Sequence, residues 1–131
     1  KWSGETTVSA QEIILAIEVP IVTGATQAYE KYSQWRGDFP EASAGVRLVW
    51  SGDRLSSAQI SLGGVSPLPM RALYAERSLI SEKSLTDEII QSAASKVVYG
   101  ALPLRDNESK VDMIVAVTAR ALRRARDAHF K

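Results

Sequence analysis

The sequence predicts an α+β fold in which an antiparallel sheet carries its helices on one side. Residues 46–50 and 57–62 alternate between apolar and polar and bracket Ser51-Gly52-Asp53-Arg54, which is hairpin turn chemistry. One face of that hairpin is apolar and the other largely polar, as in a sheet covered on one face. From Met70 onward the pattern changes to helical periodicity and stays there, so strands come first and helices after.

Glu12 to Val19 is a run of aliphatic and β-branched residues ending at Pro20, and predicts an extended strand. Thr23-Gly24 opens a short segment with Tyr29, Lys31 and Tyr32, which predicts about a turn and a half of helix. Trp35 to Pro40, with Gly37 and Asp38, predicts a loop. In the hairpin, Val46, Leu48 and Trp50 alternate with Arg47 and Val49. Ala58, Ile60 and Leu62 alternate with Ser57, Gln59 and Ser61. Gly63-Gly64 ends the second strand, and Ser66-Pro67-Leu68-Pro69 forbids both ladder and helix. Met70 to Leu79 predicts a first helix with Ala72, Leu73, Ala75 and Leu79 inward. Ser84 with Asp87 reads as a capping-box-like start of a second, whose stripe is Ile89, Ile90, Ala93, Ala94, Val97 and Val98. Gly100 and Pro103 stop it. The last helix is expected from about Asn107 to Ala128. At about 100° per residue, Val111, Ile114, Val115, Thr118, Leu122, Ala125 and His129 share one face, with Arg120, Arg123, Arg124 and Asp127 opposite.

Composition narrows the function classes. At 131 residues the chain has a one-domain length, and no linker or repeat divides it. No cysteine is present, which excludes disulfides, iron–sulfur ligation and thiol catalysis, and a single histidine argues against zinc. Sixteen basic against fifteen acidic residues offer no bulk attraction to nucleic acid or an anionic membrane. No apolar run approaches the ~20 residues of a spanning helix. The sequence opens at Lys1 with no signal-peptide core, and reads as a domain cut from something longer. The absence of cysteine suits cytoplasm and periplasm equally; the reading taken is cytoplasmic, with the periplasm as the alternative.

The candidate sites differ in strength. The arginine stripe reads as a solvated helix face favoured by the helix dipole, rather than as an anion patch. His129 has no partner ligand and sits on the packed face, so it reads as a packing histidine. Gly63-Gly64-Val65-Ser66-Pro67 lacks the spacing of a phosphate loop or dinucleotide fingerprint, and its prolines remove any helix N-terminus there. No nucleophile elbow accompanies the serines, so a hydrolase triad has little support. The segment Tyr29 to Glu41 stands apart, joining Tyr29, Tyr32, Trp35 and Phe39 to Lys31, Arg36 and Asp38. It reads either as a surface facing a planar, anionic ligand or a partner, or as a satellite core closing the sheet edge; the residues alone leave both open.

The segment Ile60-Ser61-Leu62-Gly63-Gly64-Val65-Ser66-Pro67-Leu68-Pro69-Met70-Arg71-Ala72 resembles a signature of the C-terminal domain of the FAD-binding subunit of molybdenum hydroxylases. That family includes xanthine dehydrogenases, aldehyde oxidoreductases and aerobic carbon monoxide dehydrogenases. Other pieces agree in order: Glu12 to Pro20, Tyr29-Glu30-Lys31 with Arg36-Gly37-Asp38-Phe39, Glu76 and Leu79, Pro103 to Asn107 with Lys110-Val111, and Arg120 to Ala125.

The resemblance implies a sheet of three to four antiparallel strands backed by a three-helix layer. It implies one domain over 1–131 that closes over FAD held mostly by upstream domains. The glycine- and serine-rich FAD-cradling segments of those domains are absent from this sequence, so FAD is expected only in their company. In the parent enzyme, electrons would pass from molybdopterin and iron–sulfur subunits through FAD to NAD or oxygen. Lys31 matches a lysine that approaches the FAD, and Arg36, Asp38 and Phe39 match a loop near the flavin ring. The chain alone is not expected to catalyse. The alternative from another class is a free-standing interaction or scaffold module of the same fold.

Overall fold

The computed structural model describes residues 7–131; the reading of the chain's start at Lys1 lies outside the described residues. Four strands, β1 (Ala25–Tyr32), β2 (Ala42–Ser51), β3 (Arg54–Gly63) and β4 (Met70–Arg71), form an antiparallel sheet in the order β1-β2-β3-β4. Three helices follow: α1 (Leu73–Ile80), α2 (Asp87–Ser95), which runs on into a 3-10 turn at Lys96–Val98, and α3 (Ser109–Asp127). The α+β expectation and the strand count hold.

The hairpin forms where its alternation placed it. Gly52, the first of two turn residues, takes φ +60°, which a tight hairpin favours. Ala44, Val46, Leu48 and Trp50 of β2 and Ala58, Ile60 and Leu62 of β3 are buried. Val46 lies opposite both Ala28 and Ile60, so these positions share one face of the sheet. The helices cover that face, with α3 across β1 and β2 and α1 against β3. Leu48, Ile60, Leu79, Ile90 and Leu122 lie fully inside the common core. Each such side chain contributes about 1.5–3 kcal/mol of burial.

Several expectations are corrected. Glu12–Val19 forms no regular element and pairs with nothing among the described residues, and Ile13, Leu15 and Ile17 are 84, 94 and 83% exposed. Its composition favours extended backbone, but a strand also needs a partner edge. Residues 25–32 are strand β1, not a short helix. Ala28 and Glu30 point to the helix side and Tyr29 and Lys31 away from it, a period of two that three residues read at helical spacing concealed. Met70–Arg71 pairs with β3 before α1 begins, and the Ala72 N–H donates to the Ile60 carbonyl at 3.0 Å. Leu73 therefore remains half-exposed, and Glu76 takes an inward place beside Ala75 and Leu79. Helix α2 starts two residues later than expected, capped by Thr86 rather than Ser84, with the Thr86 hydroxyl accepting from the Ile89 N–H.

Helix α3 buries Val117, Ala119 and Ala121 besides the expected stripe, because α2 covers a second side of it. Three of its four arginines are paired within the fold, and Arg120 stands exposed. Arg124 meets Glu30 of β1 at 2.6 Å, and Arg126 and Arg123 meet Asp87 of α2 at 2.6 and 3.5 Å. His129 stacks on Trp50 with ring centroids 4.3 Å apart, and a ring nitrogen lies 3.1 Å from the Gly52 carbonyl, a packing role as expected. Among the described residues no helix is long and apolar enough to cross a membrane.

Candidate functional site

The sheet face away from the helices is open, and the register fixes what stands on it. Lys31 lies opposite Ser43, and Ser43 opposite Gly63. Tyr29, Gly45, Ser61 and Arg71 form the next row, and Gln27, Arg47 and Gln59 the one after. An open hollow of about 520 Å³ lies over these two rows. Arg47 donates to Gln59. Arg71 donates to both oxygens of Glu76 at 2.7 Å, and this bond raises the guanidinium above its ordinary pKa.

The loop between β1 and β2 leaves this face at its Lys31 end. Lys31, half-buried, donates its Nζ to the Asp38 carbonyl at 2.7 Å. The Asp38 Oδ1 accepts the Phe39 N–H at 2.8 Å, and the Asp38 N–H donates to the Trp35 carbonyl at 3.2 Å. The Ser33 hydroxyl donates to the same Trp35 carbonyl, and the Glu41 N–H closes the loop onto the Tyr32 carbonyl at 2.8 Å. These bonds present the Phe39 ring 92% exposed and the Trp35 ring 70% exposed. The two rings are not a satellite core, because a core would cover them.

Lys31, Asp38 and Phe39 thus form one hydrogen-bonded unit. Arg36 stands exposed on the same loop outside that unit. No carboxylate lies within ion-pair reach of Lys31 among the described residues. Its ammonium has three donors, so two remain beyond the bond to Asp38.

The loop is also braced from below by a residue whose part the sequence left unread. Gly64 takes φ +75°, and a Cβ built there would lie 2.7 Å from the Pro40 carbonyl oxygen and 2.8 Å from that of Glu41. Only glycine lets β3 end this close to the loop backbone. The Gly63-Gly64 pair was visible in the sequence; the approach it permits was not.

The chemistry available is that of a contact surface. Among the described residues no group of three or more His, Asp or Glu could hold a metal. An exposed phenyl ring and an ammonium without a counter-charge, joined through Asp38, suit one side of a planar, anionic group such as a flavin nucleotide. The Gly63-Gly64 turn leads to prolines and β4 rather than to a helix N-terminus, so it offers no pyrophosphate cradle. The residues present fit a closing contact on FAD, not a complete FAD site.

Comparison with known proteins bears on the family and the fold. Residues 27–127 match the family model described as the CO dehydrogenase flavoprotein C-terminal domain. The carbon monoxide dehydrogenase medium chain of Hydrogenophaga pseudoflava is 30% identical over 124 residues, covering 94% of this chain and 43% of the relative. The glyceraldehyde dehydrogenase medium chain of Sulfolobus acidocaldarius is 31% identical over 96 residues, 73% of this chain and 34% of the relative. The carbon monoxide dehydrogenase structure from H. pseudoflava superposes with a TM-score of 0.73 at 31% identity, over 83% of this chain and 39% of that one. Quinoline 2-oxidoreductase from Pseudomonas putida 86 shares the fold, with a TM-score of 0.78 at 22% identity, over 86% of this chain and 40% of that one. The chain spans less than half the length of the curated relatives it matches.

Proposed function

This chain belongs to the CO dehydrogenase flavoprotein C-terminal domain family, and we propose that it closes over the FAD of a molybdenum-hydroxylase flavin subunit. The observation that carries this reading is the Lys31–Asp38–Phe39 unit, which joins an exposed phenylalanine and an ammonium with free donors through Asp38. When bound, the flavin supplies the electron-carrying chemistry, from iron–sulfur clusters to NAD or oxygen. The chain's own residues bind, orient and shield. Lys31 fixes the loop through the Asp38 carbonyl and offers its remaining donors to the cofactor. Asp38 holds the Phe39 backbone, and the Phe39 ring covers the cofactor and limits access of the oxidant. Arg36, exposed on the same loop, faces the approaching oxidant or a neighbouring domain.

The pyrophosphate would be held by an upstream FAD-binding domain, and the iron–sulfur and molybdopterin centres by partner subunits. The exposed aliphatic residues Ile13, Leu15, Ile17 and Ile21 support a larger assembly, since a patch of this kind calls for a covering polypeptide.

The test is flavin retention in the complete subunit. Lys31→Ala loses a charged hydrogen bond of about 1.5–3 kcal/mol, which weakens FAD binding at least tenfold. Phe39→Ala exposes the flavin and raises its quenching by added iodide. FAD affinity and quenching that match the parent protein in both variants would remove the loop from the cofactor site.

A further inference from the structure

We propose that Lys110, on the first turn of α3, is a positioning residue for the loop that carries Asp38 and Phe39, acting through the Gly64 carbonyl. Its tie to the cofactor rests on the function proposed above; the mechanical link does not.

The link is a chain of direct contacts. Asn107 lies just before α3: its Oδ1 accepts the Leu104 N–H at 2.7 Å, and its carbonyl accepts the Lys110 N–H at 3.0 Å. This sets Lys110 on a fixed turn. Lys110 reaches across to the end of β3, and its Nζ donates to the Gly64 carbonyl at 2.8 Å, between residues far apart in sequence. The donor is charged, and the bond lies at the surface. Gly64 in turn lies directly against the Pro40 and Glu41 carbonyls, with no room for a Cβ.

Those two carbonyls belong to the C-terminal leg of the loop, whose Glu41 N–H is bonded to Tyr32. Lys31 holds the other side of the loop at the Asp38 carbonyl. Phe39 sits between the two holds. Loss of the Lys110 bond leaves the Gly64 carbonyl free to turn, and the leg packed against Gly64 loses its stop. The rigid helix layer thereby sets how far Phe39 can swing, although no helix residue touches the ring. Lys31 alone does not do this, because it fixes the loop before Phe39 and not after it.

The experiment is hydrogen–deuterium exchange on the full-length protein, read on peptides spanning 33–41 and, as a reference, 44–50 and 117–125. Lys110→Met is expected to raise exchange at 33–41 about tenfold and leave the reference peptides unchanged, with Lys110→Arg restoring the parent rate. Unchanged exchange at 33–41 overturns the proposal. A uniform rise across all three peptides also overturns it, because that is general destabilisation. Flavin fluorescence of the same variants tests the other reading separately. Selective loosening of 33–41 with an unaltered flavin signal upholds the Lys110 link and counts against the placement of Phe39 at the cofactor.

Discussion

Among the described residues Glu76 is the one charged side chain that is buried, at 5% exposure. One oxygen accepts the Ile60 N–H at 2.8 Å and both accept from Arg71, so a single carboxylate joins β3, β4 and α1. Glu76→Ala orphans the Ile60 N–H and leaves Arg71 unpaired. The expected cost is about 2–4 kcal/mol, seen as a lower urea midpoint with an unchanged slope. Glu76→Gln keeps an acceptor for Ile60 and should cost less; equal losses in the two variants would place the whole effect in the charge. In sequence Glu76 was one acidic residue on a helix, and nothing local marked it as inward. Lys31 was legible as a residue type and misplaced as an element. On a strand its side chain shares a face with Tyr29, and its first partner is the Asp38 carbonyl rather than a ligand.

At the scale of elements, α2 and α3 are joined by charge as well as by apolar contact. Hydrogen bonding to Arg126, with lesser attraction from Arg123, holds the Asp87 carboxyl below its usual range. A carboxyl depressed in the folded state stabilises that state above its unfolded pKa of about 3.9, and the benefit fades as pH falls through the lower folded value. Asp87→Asn should therefore lower Tm at pH 7. The gap from the parent protein should narrow below about pH 4 and close in stronger acid. A gap that persists unchanged in acid would assign the effect to packing instead of to ionisation. The elements themselves were read unevenly. The 46–62 hairpin and the body of α3 were legible because each is long and strictly periodic. Residues 25–32 were not, because their small and polar positions blur the alternation until β2 is laid beside them.

At the scale of the whole molecule, residues 13–21 are an exposed apolar segment. Leu15 and Ile21 are 94 and 98% exposed, and nothing among the described residues pairs with their backbone. Replacing Ile13, Leu15 and Ile17 together with serine should leave the thermal unfolding of this chain unchanged within about 0.5 kcal/mol, because those side chains bury little in it. The same change should reduce self-association in sedimentation. A fall in Tm of several degrees would show instead that the segment packs on the core. The sequence by itself determined the fold class, the hairpin and its turn, the helical half and the loop carrying Arg36, Asp38 and Phe39. These follow from periods of two and 3.6 and from turn residues acting over a few positions. Tertiary structure alone decided that Glu12–Val19 stays unpaired while Ala25–Tyr32 joins the sheet, and that Glu76 turns inward. It also decided that Gly64, Lys110 and Lys31 brace one loop from three different elements. Strand pairing and bracing are contacts between residues distant in the chain, and local propensity carries no information about which distant backbone will arrive.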